Sequence, residues 1–270
     1  MAYEVLVLDI DGTLTNSKKE ISSKTLDAII RAQEEGIKVV IASGRPTAGI
    51  HNIAQQVKLD VYGGYVLSYN GGKIINFQTG EAVYNETLPE EMIPSIYEEA
   101  IDNHTGIITY EGDDAIAGNG IDKYNQLEAR INGIKLKEVE NFPEYVKFPV
   151  NKCLLTGEPQ HMEMVEQKMK ERFGNFLNIF RSEPFFVEVM PQNIDKAYSL
   201  GKLLKHLGLE RSQMIACGDG FNDLSMIKYA GLGVAMANAQ EQVKEAADYI
   251  TLSNDEDGVA KVIDKFMLNE

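Results

Sequence analysis

The segment VLVLDIDGT, residues 5–13, places two carboxylates directly after a run of four aliphatic side chains. Such a run predicts a strand buried on both faces, as in a parallel sheet. Open α/β sheets bind ligands at the carboxyl ends of their strands. If the strand conformation persists, Asp9 and Asp11 share one face and can converge on a hard divalent cation, with Mg²⁺ the best fit. The segment alone fits equally well two solvated acids in an Asp-Gly turn.

Outward from this segment, strand and helix patterns alternate at both ends of the chain. A helix over 24–32 and a buried strand over 37–42 predict a parallel βαβ unit with the first strand. Further strands are expected over 65–69, 213–217 and 232–235, and further helices over 195–207, over 258–266 and after Asn222. The expected fold class is therefore α/β, a doubly wound parallel-sheet core built from both chain ends.

The pattern changes between Pro89 and Pro184, where amphipathic helices and shorter strands replace the long apolar runs. This change predicts an inserted α+β domain. The expected division is 1–84 and 188–270 for the core and 85–187 for the insertion. Within the insertion, the segment 111–123 contains Gly112, Gly118 and Gly120 and is expected to form a mobile loop.

Composition narrows the classes of function. The chain has 270 residues, 44% of them hydrophobic, which is enough to bury a substantial core. Its 26 basic and 41 acidic residues give a net charge of −15, which disfavours nucleic acid and anionic membranes as partners. No apolar run approaches the length of a membrane span, and Cys153 and Cys217 are expected to be buried free thiols. These features predict a cytoplasmic protein and favour no particular oligomeric state.

A second acidic segment, GDGFND at residues 218–223, again follows a buried strand and precedes a helix. The carboxyl ends of parallel strands can bring distant acids within reach of one cation. Asp219 is therefore expected to bind the same cation as Asp9, with Asn222 and Asp223 as supporting or substrate-contacting residues. A turn that only caps a helix would leave the coincidence with Asp9 unexplained.

Two further features suit an anion beside these acids. Ser43-Gly44 offers a hydroxyl and backbone amides where a helix is expected to begin. Lys196 opens the helix expected over 195–207 and supplies the positive charge that paired carboxylates and a phosphate together require. Each feature alone is weak, because Ser-Gly turns and exposed lysines are common.

In this order the segments resemble the four motifs of the haloacid dehalogenase (HAD) superfamily, specifically its Cof-type sugar phosphatases of subfamily IIB. The matching stretches are DIDGTL at 9–14, SGR at 43–45, Lys196, and GDGFND at 218–223. Asn70-Gly71 also matches the Asn-Gly that follows the third strand in this family. Ala197 stands where Gly is frequent and Gly72 where Ala is frequent, but neither departure removes a reactive side chain.

The resemblance implies a phosphoric monoester hydrolase with a Rossmann-like core and an inserted C2-type cap. Asp9 would attack phosphorus to give an aspartyl-phosphate, and Asp11 would protonate the leaving alcohol and then activate water. Mg²⁺ would be held by the Asp9 carboxylate, the Asp11 backbone carbonyl and Asp219, with Asp223 orienting these ligands. The phosphate would be contacted by Ile10, Ser43, Gly44, Lys196 and Asn222.

The implied substrate is a small phosphorylated metabolite, in particular a sugar phosphate. Two alternatives stay open. A phosphomutase would pass the phosphoryl group to a sugar rather than to water, and a non-catalytic receiver-like module would keep its acyl phosphate. Release of inorganic phosphate distinguishes the phosphatase from both.

Overall fold

The computed structural model describes residues 3–268, which divide into two compact units. The first unit contains residues 3–44, 50–84 and 195–268, and the second contains 45–49 and 85–194. Within the described part of the chain, no helix combines the length and the apolar composition needed to cross a bilayer.

The elements alternate as follows. The first segment contains β1 (Val5–Leu8), α1 (Ser23–Glu34), β2 (Lys38–Ala42), α2 (Thr47–Gln56), α3 (Leu59–Tyr62), β3 (Tyr65–Ser68), a 3₁₀ turn (Tyr69–Gly71), β4 (Lys73–Asn76) and β5 (Ala82–Asn85). The middle segment contains a 3₁₀ turn (Glu90–Met92), α4 (Ile93–Asp102), β6 (Gly106–Glu111), β7 (Asp114–Gly118), α5 (Lys123–Asn132), β8 (Lys135–Glu138), α6 (Phe142–Tyr145), β9 (Cys153–Thr156), α7 (Pro159–Phe173), β10 (Leu177–Glu183) and β11 (Phe186–Pro191). The last segment contains α8 (Lys196–Leu207), β12 (Met214–Gly218), α9 (Leu224–Tyr229), β13 (Leu232–Ala235), α10 (Glu241–Ala246), β14 (Tyr249–Ile250) and α11 (Gly258–Phe266), with 3₁₀ turns at Arg211–Gln213, Phe221–Asp223 and Asn254–Glu256.

The first unit is built on an eight-stranded sheet with the order β14-β13-β12-β1-β2-β3-β4-β5. The six strands from β14 to β3 run parallel, and β4 pairs antiparallel with β3. All four side chains of β1 are fully buried, as a central strand covered on both faces requires. The predicted α/β class with a parallel-sheet core is confirmed.

The register of β1 brings three chain segments to one edge of this sheet. Leu8, the last residue of β1, pairs with Cys217 of β12 on one side and with Ile41 of β2 on the other. Asp9, Gly218 and Ala42 therefore follow at the same edge. From β1, the next strand in the sequence, β2, pairs on one side, while β12 from the last segment of the chain pairs on the other side. The strand order therefore reverses at β1, which makes this edge a topological switch point of the sheet.

The ends of α1 follow from its sequence. The hydroxyl of Ser22 accepts a hydrogen bond from the backbone N–H of Thr25 at 3.0 Å, which caps the first turn. The chain turns back into β2 at Gly36, whose φ of 89° is readily adopted only by glycine. Ser22 therefore begins α1, and Gly36 lies in the turn that follows its end.

The second unit contains a six-stranded sheet with the order β10-β11-β9-β6-β7-β8. All its pairings are antiparallel except that of β7 with β8. The apolar faces of α4 and α7 join this sheet in one core, to which Ile96, Val165 and Met169 contribute fully buried side chains. The free thiols of Cys153 and Cys217 are buried, one in each unit, as expected.

The prediction of a mobile loop over 111–123 is wrong. Residues 114–118 form β7, which pairs with both β6 and β8, and Ala115, Ile116 and Ala117 are fully buried. The glycine at 118 reflects close packing rather than mobility, because a Cβ there would lie 2.7 Å from the ring of Phe142.

The expected return to the core at residue 188 also differs from the structure. Glu188 pairs with Phe180 of β10 and with Leu154 of β9, so β11 is part of the second sheet. The first unit resumes at Asp195, whose carboxylate caps α8 by accepting from the N–H of Tyr198 at 2.7 Å.

Candidate active site

A buried ion-pair cluster lies at the switch-point edge of the first sheet. The ammonium of Lys196, at the start of α8, donates to Asp9 Oδ1 at 2.8 Å, to Asp223 Oδ1 at 2.6 Å and to the Ala42 carbonyl at 2.9 Å. Lys196 is fully buried and Asp9 is 6% exposed. All three N–H donors of the ammonium are used, so Lys196 orients Asp9 directly, and a phosphate oxygen would have to replace one of these acceptors.

Asp223 connects this cluster to the loop after β12. Its Oδ2 accepts from the backbone N–H groups of Asp219 and Gly220 at 3.0 and 2.9 Å, while its Oδ1 binds Lys196. Both carboxylate oxygens of Asp223 are therefore engaged. This arrangement fixes the backbone at Asp219, whose Oδ1 accepts from the hydroxyl of Thr13 at 2.9 Å.

The cluster contains more negative than positive charge. Asp9, Asp219 and Asp223 offer carboxylate oxygens that lie within 4.8 Å of one another. Among residues 3–268, the ammonium that pairs with Asp9 and Asp223 is that of Lys196. Burial, together with the charge of Asp223, raises the pKa of Asp9 to about 8 despite the opposing effect of Lys196. Burial also raises the pKa of Asp219 to about 6. The oxygens of Asp9 and Asp219 that Lys196 and Thr13 leave unengaged suit a hard divalent cation, which would offset this excess charge.

Lys196 stays charged in these surroundings. Burial lowers the pKa of an ammonium, but here the carboxylates of Asp223 and Asp9 outweigh that effect and raise the pKa of Lys196 above its ordinary value. The positive charge is therefore a fixed feature of the cluster at neutral pH.

Asp11 lies outside the cluster of three carboxylates. The strand ends at Leu8, so Asp9 and Asp11 do not continue the alternation of β1. The side chain of Asp11 is 42% exposed and forms an ion pair with Lys19 at 2.9 Å. The turn that carries it is held by Ile10, whose carbonyl accepts from both the N–H and the hydroxyl of Thr15 at 2.9 Å.

Gly12 allows the turn after β1 to approach the loop after β12. Its φ is 87°, and a Cβ at this position would lie 2.7 Å from the Asp219 carboxyl carbon. A side chain at residue 12 would therefore occupy space that the Asp219 carboxylate fills. This close contact explains why glycine follows Asp11.

The remaining predicted site residues belong to two loops at the same sheet edge. Ser43 is buried, and its N–H donates to the Leu67 carbonyl at 2.9 Å, which ties the loop after β2 to β3. Asn222 lies exposed in the 3₁₀ turn before α9, and its Nδ2 donates to Asn70 Oδ1 at 3.1 Å. The amide of Asn70 in turn packs against Gly44, where a Cβ would lie 3.0 Å from it.

Sequence reasoning assigned no role to Asn70, although its match to the family pattern drew attention to the position. It connects the two loops that contain Ser43 and Asn222. The signal that could have identified it is the Asn-Gly pair directly after a buried strand, since Asn tolerates the left-handed backbone better than other residues that carry a side chain.

Comparison with known proteins identifies the family of this chain. A family model described as haloacid dehalogenase-like hydrolase matches residues 6–263. The chain belongs to this family. A haloacid dehalogenase-like hydrolase from Bacteroides thetaiotaomicron, known from its crystal structure, is 52% identical, with a TM-score of 0.94 and coverage of 97% of this chain and 99% of that chain.

Two further relatives have more specific names. The HAD subclass IIB sugar phosphatase BT4131 is 26% identical, with a TM-score of 0.80, over 97% of this chain and 98% of its own. The 5-amino-6-(5-phospho-D-ribitylamino)uracil phosphatase YcsE of Bacillus subtilis is 33% identical over 98% of this chain and 96% of its own. The predicted family and the predicted enzyme class, a phosphoric monoester hydrolase of the HAD superfamily, are confirmed.

Proposed function

We propose that this HAD phosphatase is Mg²⁺-dependent and hydrolyses small phosphate monoesters, in particular sugar phosphates, through an aspartyl-phosphate on Asp9. The observation that carries the proposal is the buried cluster in which Lys196 orients Asp9 beside Asp219 and Asp223. A nucleophilic carboxylate must be ionised, oriented and kept close to positive charge. The cluster supplies the orientation and one of the charges.

Asp9 and Asp219 would hold the cation, with the Asp11 backbone carbonyl as the family resemblance implies. When bound, Mg²⁺ supplies positive charge that favours ionised Asp9 and offsets the negative charge of the phosphate oxygens. The oxygens of Asp223 are engaged by Lys196 and by two backbone amides, so Asp223 supports the Asp219 loop.

In the first step, a carboxylate oxygen of Asp9 forms a bond to phosphorus and the bond from phosphorus to the ester oxygen breaks. Asp11, protonated once it is released from its ion pair with Lys19, gives its proton to that oxygen, which leaves as an alcohol. In the second step, Asp11 takes a proton from water, the water oxygen bonds to phosphorus, and the bond to Asp9 breaks. Orthophosphate is released with Asp9 and Asp11 returned to their starting states.

Phosphate recognition is assigned to the loops that meet at the sheet edge. The Ile10 amide, Ser43 with Gly44, and Asn222 would contact the phosphate oxygens. Lys196 contributes charge through Asp9 rather than a further hydrogen bond, because its three donors are used. The names of BT4131 and YcsE support sugar phosphates as the substrate class. One is named a sugar phosphatase, and the other is named for a phosphoribitylamino compound, so both names describe phosphorylated polyhydroxy chains.

The test is a phosphate-release assay with p-nitrophenyl phosphate and a panel of sugar phosphates, nucleotides and cofactor phosphates, with Mg²⁺ or with EDTA. We expect Mg²⁺-dependent release that Asp9→Asn reduces by at least about 10³-fold, while the exposed control Asp60→Asn retains activity. Transfer of the phosphoryl group to a sugar without orthophosphate release would indicate a phosphomutase. A stable phosphoprotein without turnover would indicate a receiver-like module.

A further inference from the structure

We propose that Asn70 is a positioning residue that fixes the phosphate-binding amide of Asn222 and keeps it in register with the Ser43-Gly44 loop. This inference rests on the proposed function, since it assumes that these loops bind phosphate. It extends the function to a residue outside the four motifs. Asn70 lies in the turn after β3, and its side chain contacts Asn222 and Gly44.

The turn that contains Asn70 is strained, chiefly at Tyr69. Tyr69, Asn70 and Gly71 have φ values of 53°, 51° and 108°, three left-handed residues in succession. Glycine adopts this region freely and asparagine tolerates it, but for a bulky residue such as Tyr69 it is unfavourable by about 1–2 kcal/mol. Strain of this kind persists only where the surrounding structure imposes it, and it is concentrated at functional sites.

Hydrogen bonds from neighbouring elements hold this turn in place. The N–H of Asn70 donates to the Ser43 carbonyl at 3.0 Å, and the hydroxyl of Ser199 on α8 donates to the Gly71 carbonyl. A Cβ at Gly71 would lie 2.7 Å from that hydroxyl oxygen, so the turn is packed tightly against α8. The loop after β2 and α8 therefore define the backbone position of Asn70.

The side chain of Asn70 acts on a third segment. Its Oδ1 accepts from Nδ2 of Asn222 at 3.1 Å, and its amide lies against Gly44, where even a Cβ would be crowded. One N–H of the Asn222 amide is thus engaged, which leaves the other for a phosphate oxygen. Because Asn222 is on an exposed turn, its amide would otherwise sample several rotamers.

Replacing Asn70 by glycine distinguishes the contribution of the side chain from that of the backbone conformation. Asn70→Gly keeps the left-handed conformation and the N–H to Ser43 but removes the contact with Asn222. We expect orthovanadate and inorganic phosphate, measured in the presence of Mg²⁺, to bind about tenfold more weakly, as expected when one hydrogen bond to an anion is misplaced. The thermal midpoint should stay within a few degrees of the wild-type value.

The matched control is Asn193→Gly, because Asn193 is exposed and has a similar φ of 60°. It should leave phosphate and vanadate binding at the wild-type level. The double variant Asn70→Gly, Asn222→Ala then tests the route of the effect. If Asn70 acts through Asn222, the double variant should bind vanadate no more weakly than Asn222→Ala alone.

The outcomes separate this inference from the proposed function. A wild-type protein that neither hydrolyses phosphate esters nor binds vanadate overturns the proposed function and the inference with it. If the wild type does both, and Asn70→Gly binds vanadate as tightly as the wild type does, only the role of Asn70 is overturned. Fully additive effects of Asn70→Gly and Asn222→Ala would also overturn it.

Discussion

Lys196 and Asp223 form a fully buried ion pair in which Nζ lies 2.6 Å from Oδ1. The residues are 27 positions apart in the sequence, on α8 and on the turn before α9, and the pair joins these elements to Asp9 at the end of β1. Removing one partner of such a pair leaves buried charge without compensation, which is more costly than removing both.

Lys196→Met should therefore destabilise the protein by about 3–5 kcal/mol and abolish phosphate release. The control on the same helix is Lys205→Met, which changes an exposed residue and should have little effect. Adding Asp223→Asn to Lys196→Met should recover part of the lost stability but none of the activity. Chemical denaturation and the phosphate-release assay measure the two effects. A Lys196→Met protein with wild-type stability would contradict this explanation of the cluster.

Gly12→Ala should disrupt the site through a clash with Asp219. Gly36 provides a matched control, because its φ of 89° is close to the 87° of Gly12 but a Cβ there would meet nothing within 4 Å. Both changes should cost about 1 kcal/mol of backbone strain, whereas only Gly12→Ala should lower phosphate release and Mg²⁺ affinity, each by at least about tenfold. Equal effects of the two substitutions on activity would exclude the steric explanation.

The stability of the metal-free protein should fall as the pH rises. The pKa of Asp9 is raised to about 8 and that of Asp219 to about 6, so the folded state binds these protons more tightly than the unfolded state does. Unfolding then releases protons. For each group, the free energy of unfolding falls by up to about 1.4 kcal/mol per pH unit as the pH rises from its unfolded to its folded pKa.

Thermal unfolding with EDTA should therefore show a midpoint that decreases between about pH 5 and pH 8. Excess Mg²⁺ should raise the midpoint most at the alkaline end, because the ion binds the ionised carboxylates. Asp9→Asn should flatten much of the EDTA profile. A midpoint that Mg²⁺ shifts equally at both ends of this range would argue against the cation binding to Asp9.

In the second unit, Glu166 should stabilise the fold in a pH-dependent way. It accepts from Lys170 at 2.7 Å and from Arg181 of β10 at 2.8 Å. Partial burial raises the pKa of Glu166, but the hydrogen bonds from Lys170 and Arg181 outweigh it and leave the pKa below its ordinary value. A lowered pKa means that this stabilisation is present above the unfolded pKa and is lost as the pH falls.

Glu166→Gln should accordingly destabilise the protein by about 1 kcal/mol at neutral pH and by less in acid. Glu163→Gln is the control, since Glu163 is 66% exposed and lies 3.9 Å from Arg181. Denaturant unfolding at several pH values measures both variants. A destabilisation by Glu166→Gln that grows in acid would reverse the expected sign and refute this account.

The strand patterns were sufficient to predict a parallel α/β core with the strand over 37–42 beside the strand over 5–8. The acidic turns predicted that Asp9 and Asp219 lie at the same sheet edge. Long aliphatic runs such as residues 5–8 indicate strands that are buried on both faces. This signal lies within a few consecutive residues, so it can be recognised from the sequence alone. The role of Asp223 needed coordinates, because Lys196 bonds to it directly and the spacing of 27 residues does not reveal that contact.

The inserted unit was less predictable for a physical reason. A glycine often indicates a turn or loop, but Gly118 belongs to β7. Glycine is needed there because Phe142 occupies the space that a side chain would fill, and sequence spacing does not reveal that contact. The helix after it, α5, starts at a capping box formed by Asp122 and Asn125, a weaker signal than a run of apolar residues. The strained turn at Asn70 likewise depends on Ser43 and Ser199, which lie far away in the sequence.

The most direct test of the central claim is acid quenching of the reaction with ³²P-labelled acetyl phosphate in the presence of Mg²⁺. Wild-type protein should retain acid-stable label on a peptide that contains Asp9, and the label should be lost in alkali, as acyl phosphates are. Asp9→Asn should retain none. Wild-type levels of label on Asp9→Asn, or turnover by wild type with label on a different residue, would contradict the account.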